Sequence, residues 1–359
     1  MANLSINNLH GSIPIDDTIV RPFSIQLHIT GRCDQKCGHC YLSGVSRDEL
    51  PLSDWMSLID EYYLLLRKYR CMAGFLAITG GDPILSPIFW PLLEYIRKKY
   101  GAFFIIVVMG NPYHIDRKTV QQLKDFGVYA YQISIDGMEE KHDALRKKGS
   151  FDDSLNALRI IKEGGLHAVV SMTISKYNCD ELFALVKLIE MNNLADEIGF
   201  DRMIPVGNGS NMKELLFLPD EYRKWLFKVF KWEVLEGKSL FINKREKMWK
   251  LMFYQLGLVD PLGPSCSQEK GCYAGTGSIS IMPDGTIYPC SKLMVAGGKY
   301  PEHSLEYIYK KNKITKELVN SRTTDACKKC EINDYCRGCP AMKYAVEGDI
   351  NAKEPYCWK

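Results

Sequence analysis

The sequence predicts an α/β protein in which a partial, TIM-like (β/α)6 barrel is followed by a small cysteine-rich domain. From about residue 23, short runs rich in β-branched and aromatic residues alternate with longer amphipathic stretches. This alternation is typical of βα units and a parallel sheet. After Pro264 the composition changes abruptly to cysteine, glycine, lysine and turn residues. A domain boundary is therefore expected there.

Six strands are predicted, at residues 23–29, 75–79, 103–109, 130–136, 168–174 and 197–203. The helical stretches between and after them include residues 53–69, 116–126, 152–162, 180–191, 220–234 and 244–256. Six units are too few to close an eight-stranded barrel, so we expect an open one with its active residues at the carboxyl ends of the strands. The predicted divisions are an N-terminal extension (1–22), the barrel (23–210), a helical linker (211–264) and the cysteine-rich domain (265–359).

The charge balance gives no reason to expect a nucleic acid or a membrane as partner. Lys and Arg total 46 against 43 Asp and Glu, a formal net charge of +3. The N-terminus lacks the basic start and apolar stretch of a secretory signal, and no apolar run reaches the length of a membrane span. A cytoplasmic location is the expectation.

Thirteen cysteines call for an explanation in such a protein, because thiols of the cytosol are kept reduced. Metal binding is the leading interpretation. The alternative is a secreted disulfide scaffold, which suits small domains without a core and fits this long chain poorly.

The first cysteine cluster follows the first predicted strand. Cys33, Cys37 and Cys40 stand in a C-x3-C-x2-C spacing on a strand-to-helix loop. Three thiolates on a [4Fe–4S] cube would leave one iron without a protein ligand, open for chemistry. A zinc site that borrows a distant fourth ligand, or chance clustering, is the alternative.

These three cysteines, in a loop after the first strand of a βα repeat, resemble the signature of the radical S-adenosylmethionine (SAM) superfamily. The resemblance implies that the open iron chelates SAM and that reductive cleavage gives a 5′-deoxyadenosyl radical, which takes a hydrogen atom from the substrate. The turn Gly80-Gly81-Asp82-Pro83 is similar to the family's GGEP-type motif, which holds the SAM amino group, with Asp in place of Glu. An ordinary βα turn is the plainer interpretation.

Further SAM contacts are implied by the same resemblance. Arg146 resembles an arginine that meets the SAM carboxylate, for which a guanidinium fork is well suited, although a solvated helix face would explain it too. Ser134 matches a serine that contacts SAM and shares one strand face with Asp136, so both should line the barrel lumen. The full set of expected SAM-binding residues is Gly80, Gly81, Asp82, Pro83, Ser134, Asp136, Arg146, Arg202 and Tyr41. No catalytic acid or base is evident.

Eight further thiols follow residue 264, at positions 266, 272, 290, 327, 330, 336, 339 and 357. A pair of zinc ribbons could account for them. Beside the barrel, the block is similar to the SPASM domain, which implies two auxiliary [4Fe–4S] clusters and three clusters in all. One would be held by Cys266, Cys272, Cys290 and Cys339, and the other by Cys327, Cys330, Cys336 and Cys357. The x2 spacing before Cys339 departs from the usual x3, and Cys71 and Cys179 are left over as core or surface thiols.

The resemblance favours oxidative modification of a peptide or protein, such as a crosslink on a ribosomally made precursor. A reductant such as flavodoxin or ferredoxin is implied, and about 22 residues before the first strand are too few for a leader-binding domain, so a separate leader-binding protein is a further expected partner. Alternatives are a formylglycine-forming sulfatase-maturating enzyme, weakened because Ser291 follows Cys290 where that family has an acid, a tetrapyrrole decarboxylase of the haem pathway, and an electron carrier.

Overall fold

The structure is a computed structural model that describes residues 12–16, 19–45, 48–236, 241–243, 246–260, 271–320 and 325–359. Cys266, one of the predicted auxiliary ligands, lies outside these residues. No helix in the described part of the chain is long and apolar enough to cross a membrane.

Twelve strands are assigned in the described part of the chain. They are β1 (Ser12–Asp16), β2 (Ile19–Pro22), β3 (Ser24–His28), β4 (Gly74–Thr79), β5 (Phe104–Met109), β6 (Val128–Ser134), β7 (His167–Ile174), β8 (Glu197–Arg202), β9 (Phe241–Asn243), β10 (Ser278–Ile281), β11 (Thr286–Tyr288) and β12 (Gly298–Lys299). β1 and β2 form an antiparallel pair, and the other strands form one sheet in the order β12-β11-β10-β3-β4-β5-β6-β7-β8-β9.

The helices that connect these strands are α1 (Leu52–Lys68), α2 (Phe89–Tyr100), α3 (Arg117–Asp125), α4 (Glu139–Leu145), α5 (Ser150–Glu163), α6 (Glu181–Met191), α7 (Pro219–Glu236) and α8 (Met248–Gln255). The C-terminal region adds α9 (Leu305–Lys310), α10 (Lys313–Asn320), α11 (Asp325–Lys328), α12 (Asn333–Cys336) and α13 (Pro340–Glu347). Short 3-10 helices cover Pro83–Leu85 and Gly207–Leu215.

The six predicted strands correspond to β3 through β8, all parallel to one another. The predicted α/β fold class is confirmed. Each strand buries one face beneath the helices. On β3 this face carries Ile25 and Leu27, both essentially inaccessible, and α1 packs Trp55 and Tyr62 into the same core, with the Tyr62 hydroxyl donating to the Phe23 carbonyl at 2.7 Å. Burial at helical spacing is what makes α1 a helix of this core.

The sheet is wider than the sequence predicts because the C-terminal region extends it. β10 runs parallel to β3, with Ser280 opposite Gln26, and β11 and β12 follow antiparallel. β9 lies at the other edge, parallel to β8. The chain after residue 264 therefore shares a hydrogen-bonded sheet with the barrel.

Candidate active site

The loop that carries the first three cysteines lies between β3 and α1 and is anchored by two distant parts of the chain. Gly38 N–H donates to the Leu145 carbonyl at 2.8 Å. Asn208, in the 3-10 helix after β8, donates from its backbone to the Cys40 carbonyl at 3.0 Å and from its side chain to the Cys37 carbonyl at 3.1 Å. These bonds bring Cys33, Cys37 and Cys40 into one loop at the carboxyl end of the sheet. Burial raises the pKa of the Cys37 thiol to about 11, so a metal would have to displace its proton.

The turn after β4 packs directly against this loop. Gly81 N–H donates to the Thr30 carbonyl at 2.9 Å, and Asp82 N–H donates to the Arg32 carbonyl at 2.7 Å. A Cβ added at Gly81 would lie 2.2 Å from the Arg32 carbonyl oxygen. Gly80 has φ of +152°, and a Cβ there would lie 2.4 Å from the Thr30 oxygen. Both glycines are therefore required by close backbone approach.

Asp82 is fully buried at the end of this turn, just before Pro83. Its Oδ1 accepts a hydrogen bond from Ile84 N–H at 3.2 Å, whereas its Oδ2 has no hydrogen-bond partner. Burial raises the pKa of the carboxyl to about 6. A buried carboxylate oxygen without a donor fits an ammonium group, which is the chemistry that the SAM amino group would bring.

The sequence did not single out Asp34, Asn111 and His114, which lie beside Asp82. His114 Nε2 is 2.8 Å from Asp34 Oδ2, and Asn111 donates to Asp34 Oδ1 at 2.6 Å and to Cys33 Sγ at 3.4 Å. One acceptor atom each from Asp34, Asp82 and His114 lie within 4.8 Å of one another. The position of Asp34 between two motif cysteines was the only sequence signal. This acidic wall extends the surroundings of the predicted amino-group site.

Asp136 is inaccessible to solvent and connects the arginine to the cluster loop. Its Oδ2 accepts from Arg146 Nε at 2.6 Å and lies 2.8 Å from His39 Nε2, while its Oδ1 accepts from Thr173 N–H at 2.8 Å. Burial alone would raise the pKa of this carboxyl, but Arg146 and His39 outweigh burial and hold it well below its usual range. Asp136 therefore positions its neighbours.

Arg146 keeps a second nitrogen directed toward the cysteine loop. Its Nη1 lies 3.4 Å from Gln35 Oε1 and 3.8 Å from Cys37 Sγ. The guanidinium is thus fixed by Asp136 on one edge and faces the cluster loop with the other. That geometry suits a carboxylate bound next to the loop.

Ser134 ends β6 and is half-buried, paired in register with Ser171 of β7. The Tyr41 hydroxyl lies 3.1 Å from His28 Nε2, and burial raises the pKa of Tyr41 above its usual range. Ser291, next to Cys290, is a hydrogen-bond partner of the same hydroxyl. Tyr41 therefore stands between the cluster loop and the C-terminal domain.

Arg202 is placed apart from the other predicted SAM contacts. Its Nε lies 2.7 Å from Glu246 Oε1, and its Nη1 lies 2.7 Å from Glu354 Oε1. All three side chains are buried, and the guanidinium also stacks 4.5 Å from the Tyr356 ring centroid. The structure gives this arginine a role in joining β8 to the C-terminal domain.

The face of the sheet opposite the helices forms the lumen, and alternate strand residues there are mostly polar. These residues are Gln26, His28, Thr79, Gln132, Ser134, Ser171, Thr173, Asp201 and Ser280. β5 differs, since its half-buried positions are Ile105, Val107 and Met109. Lys292, two residues after Cys290, reaches across to Asp201 with 3.9 Å between Nζ and Oδ2.

The C-terminal thiols fall into two electrostatically linked groups. Burial raises the pKa values of Cys290 and Cys339, and the proximity of Cys272 raises both further. Cys357 acts in the same direction on Cys336, and Cys327 on Cys357. These neighbours agree with the predicted ligand sets as far as the described residues reach. Cys71 and Cys179 are buried in the core.

Two family models match the chain, the radical SAM superfamily over residues 27–189 and the SPASM iron–sulfur cluster-binding domain over residues 272–340. The chain belongs to the radical SAM superfamily. The predicted family is confirmed, and with it the expectations of an enzyme that uses SAM and iron–sulfur clusters.

Curated relatives of this radical SAM protein span nearly its whole length. An AdoMet-dependent heme synthase of Methanosarcina barkeri is 26% identical over 351 residues, covering 94% of this chain and 96% of the relative. The mycofactocin maturase MftC of Mycolicibacterium smegmatis is 26% identical over 345 residues, covering 94% and 82%.

Among solved structures, SuiB of Streptococcus suis bound to its precursor peptide SuiA superposes with a TM-score of 0.75 and 17% identity. The match covers 94% of this chain and 76% of SuiB. SuiB has also been solved with S-adenosylmethionine bound. At this identity the likeness establishes the shared fold.

Proposed function

We propose that this radical SAM enzyme oxidatively modifies a peptide or protein, such as a ribosomally made precursor. The observation that carries the proposal is the polar lumen. Side chains of β3, β6, β7, β8 and β10 present amides, hydroxyls and a carboxylate toward the space above the cluster loop. A peptide offers an amide donor and acceptor at each residue, so it can satisfy such a wall.

SAM, when bound, supplies a 5′-deoxyadenosyl radical after one-electron reduction. The chain's own residues would orient it: Asp82 would accept from the amino group, Arg146 Nη1 would face the carboxylate, and Ser134 would contact the molecule from the wall of the lumen. Cys33, Cys37 and Cys40 would hold the cluster beside it. The buried Asp136 fixes Arg146 and His39, so these contacts require no rearrangement of the arginine.

Oxidation requires a second electron to leave the substrate after the hydrogen atom has been abstracted. The auxiliary thiols are the natural holders of an acceptor, with Cys272, Cys290 and Cys339 in one set and Cys327, Cys330, Cys336 and Cys357 in the other. Ser291 and Tyr41 link the first set to the SAM loop. A reductant such as flavodoxin or ferredoxin, and a separate leader-binding protein, complete the proposed partners.

A second candidate is decarboxylation of a haem precursor. It is favoured by the near-complete mutual coverage with the Methanosarcina heme synthase, 94% and 96%. A tetrapyrrole, however, buries two apolar faces, and the lumen wall is apolar mainly along β5. The peptide proposal agrees better with the polar wall.

The deciding experiment offers both substrates to anaerobically reconstituted enzyme with SAM and a reductant. Short peptides encoded beside the gene and a carboxylated iron tetrapyrrole are followed by mass spectrometry, with a Cys33→Ala variant as control. We expect hydrogen loss from a peptide, matched by 5′-deoxyadenosine, and none in the control. Decarboxylation of the tetrapyrrole with unaltered peptides would replace this proposal with the second candidate.

A further inference from the structure

Lys343 is a lysine whose side chain is almost completely buried. It lies on α13, four residues after Cys339, and is 2% exposed. Its backbone N–H donates to the Cys339 carbonyl at 3.1 Å. No residue in the described ranges gives its ammonium a hydrogen bond or an ion pair. Lysine is almost never buried to this extent without a partner, because an uncompensated charge in the interior costs several kcal/mol.

The carboxylate closest in the fold is already committed. Glu354 Oε1 accepts from Arg202 at 2.7 Å, and its Oε2 accepts from Cys339 N–H at 2.7 Å. A Cβ placed on Gly338 would lie 2.8 Å from Glu354 Oε2 and 3.2 Å from Lys343 Cε, so the lysine stem runs beside Gly338. Glu246 is held by Arg202 in the same network.

Gly338 separates Cys336 from Cys339, which fall in different auxiliary sets. Cys336 is linked to Cys357, and Cys339 to Cys272. The lysine stem therefore lies at the junction between the two proposed cluster sites. An iron–sulfur cube with four thiolate ligands is an anion, and an anion is what a buried ammonium without a protein acceptor requires.

We propose that Lys343 is the buried counter-cation of the auxiliary clusters and sets their reduction potential. This inference rests on the proposed auxiliary clusters. Reduction adds an electron to an already anionic site, and a fixed positive charge nearby stabilises the reduced form in proportion to the inverse of distance and dielectric constant. Lys343 thereby makes the clusters better acceptors for the electron that leaves the substrate. It is a positioning residue, since it touches no substrate.

The test uses the full chain with Cys33, Cys37 and Cys40 changed to Ala, so that only auxiliary clusters are observed. Lys343→Met removes the charge and keeps the length of the stem, Lys343→Arg keeps the charge, and Lys313→Met removes an exposed lysine of the same region, whose side chain is 91% exposed. Iron and sulfide are counted, and the potentials are measured by redox titration followed by electron paramagnetic resonance.

We expect Lys343→Met to retain iron and to lower at least one auxiliary potential by about 59 mV or more, which is a tenfold loss of electron affinity for a one-electron couple. Lys343→Arg and Lys313→Met should stay close to the parent. Unchanged potentials in an iron-replete Lys343→Met protein would overturn the inference. An iron-free parent would instead overturn the proposed clusters themselves.

If Lys343→Met fails to take up iron, Lys343→Gln and Lys343→Arg decide the matter. Cluster uptake by the Arg variant alone would show that the positive charge holds the anionic cluster and would support the proposal. Equal failure of both would show that only packing is at stake and would contradict it. Uptake by both returns the question to their potentials.

Discussion

Arg202 of β8 and Glu354 near the C-terminus form a buried ion pair, with 2.7 Å between Nη1 and Oε1. Glu354 in turn accepts the backbone N–H of Cys339 at 2.7 Å. A strand of the barrel is thereby connected through two side chains to a proposed ligand of an auxiliary cluster. The two halves of the chain are joined electrostatically as well as through the shared sheet.

Changing Arg202 to Met should lower the free energy of unfolding by about 3–5 kcal/mol, since it leaves Glu246 and Glu354 buried without their cation. Auxiliary iron should fall with it, whereas SAM affinity of the remaining SAM cluster should change little. Urea unfolding, iron analysis and equilibrium dialysis with SAM measure these effects. A stable variant that binds SAM poorly would support the sequence-based assignment of Arg202 to the adenine.

Changing Gly81 to Ala should prevent the turn after β4 from approaching the cysteine loop, because its Cβ would lie 2.2 Å from the Arg32 oxygen and 2.8 Å from Cys33 Cβ. Three [4Fe–4S] clusters correspond to about twelve iron ions, and the variant should lose about four. Gly38→Ala is the matched control in the same loop, since its Cβ would find its nearest neighbours at 3.8 and 3.9 Å. Equal iron in both variants would contradict the packing argument.

SAM affinity should increase with pH around the pKa of Asp82. Burial raises that pKa to about 6, so the carboxyl is neutral below this value and ionised above it. Only the ionised form can pair with an ammonium, so affinity should rise from pH 5 to pH 7. Asp82→Asn should weaken binding by about 1.5–3 kcal/mol at pH 7 and flatten this dependence. A wild-type affinity that does not vary with pH would show that the amino group binds elsewhere.

Changing Asp136 to Asn should lower the free energy of unfolding by about 3–5 kcal/mol at neutral pH, because Arg146 would lose its buried partner. The pKa of Asp136 is held below its unfolded value, so its stabilisation exists above about pH 4 and declines as the pH falls further. The difference between wild type and variant should therefore shrink in acid. Glu94→Gln, which breaks an exposed pair with Lys98, should change stability very little at either pH.

Changing Cys290 to Ala should abolish product while SAM cleavage remains detectable, because the auxiliary cluster is proposed to accept the second electron and has no part in cleaving SAM. Liquid chromatography of 5′-deoxyadenosine and mass spectrometry of the substrate separate these two outcomes. Circular dichroism must accompany them, since loss of a metal site can unfold a small domain. A folded variant that makes product at the normal rate would leave that cluster a structural role only.

The sequence by itself determined the six central βα units and the chemistry of the site. Alternation of buried strands and amphipathic helices depends on residues close together in the chain, as does the spacing of Cys33, Cys37 and Cys40. The Gly80–Gly81 turn could be recognised for the same reason. Its glycines meet a local requirement of backbone approach, which leaves a mark in the sequence.

Only the tertiary structure decided which distant side chains meet. Nothing in the local pattern pairs β10 with β3, places His114 against Asp34, or turns Arg202 away toward Glu354. Nor does it bury Lys343 at the junction of the proposed auxiliary sites. Such contacts depend on strand register and on the burial of charge across 80 to 250 residues of chain, and the free energy that selects them is that of the packed whole.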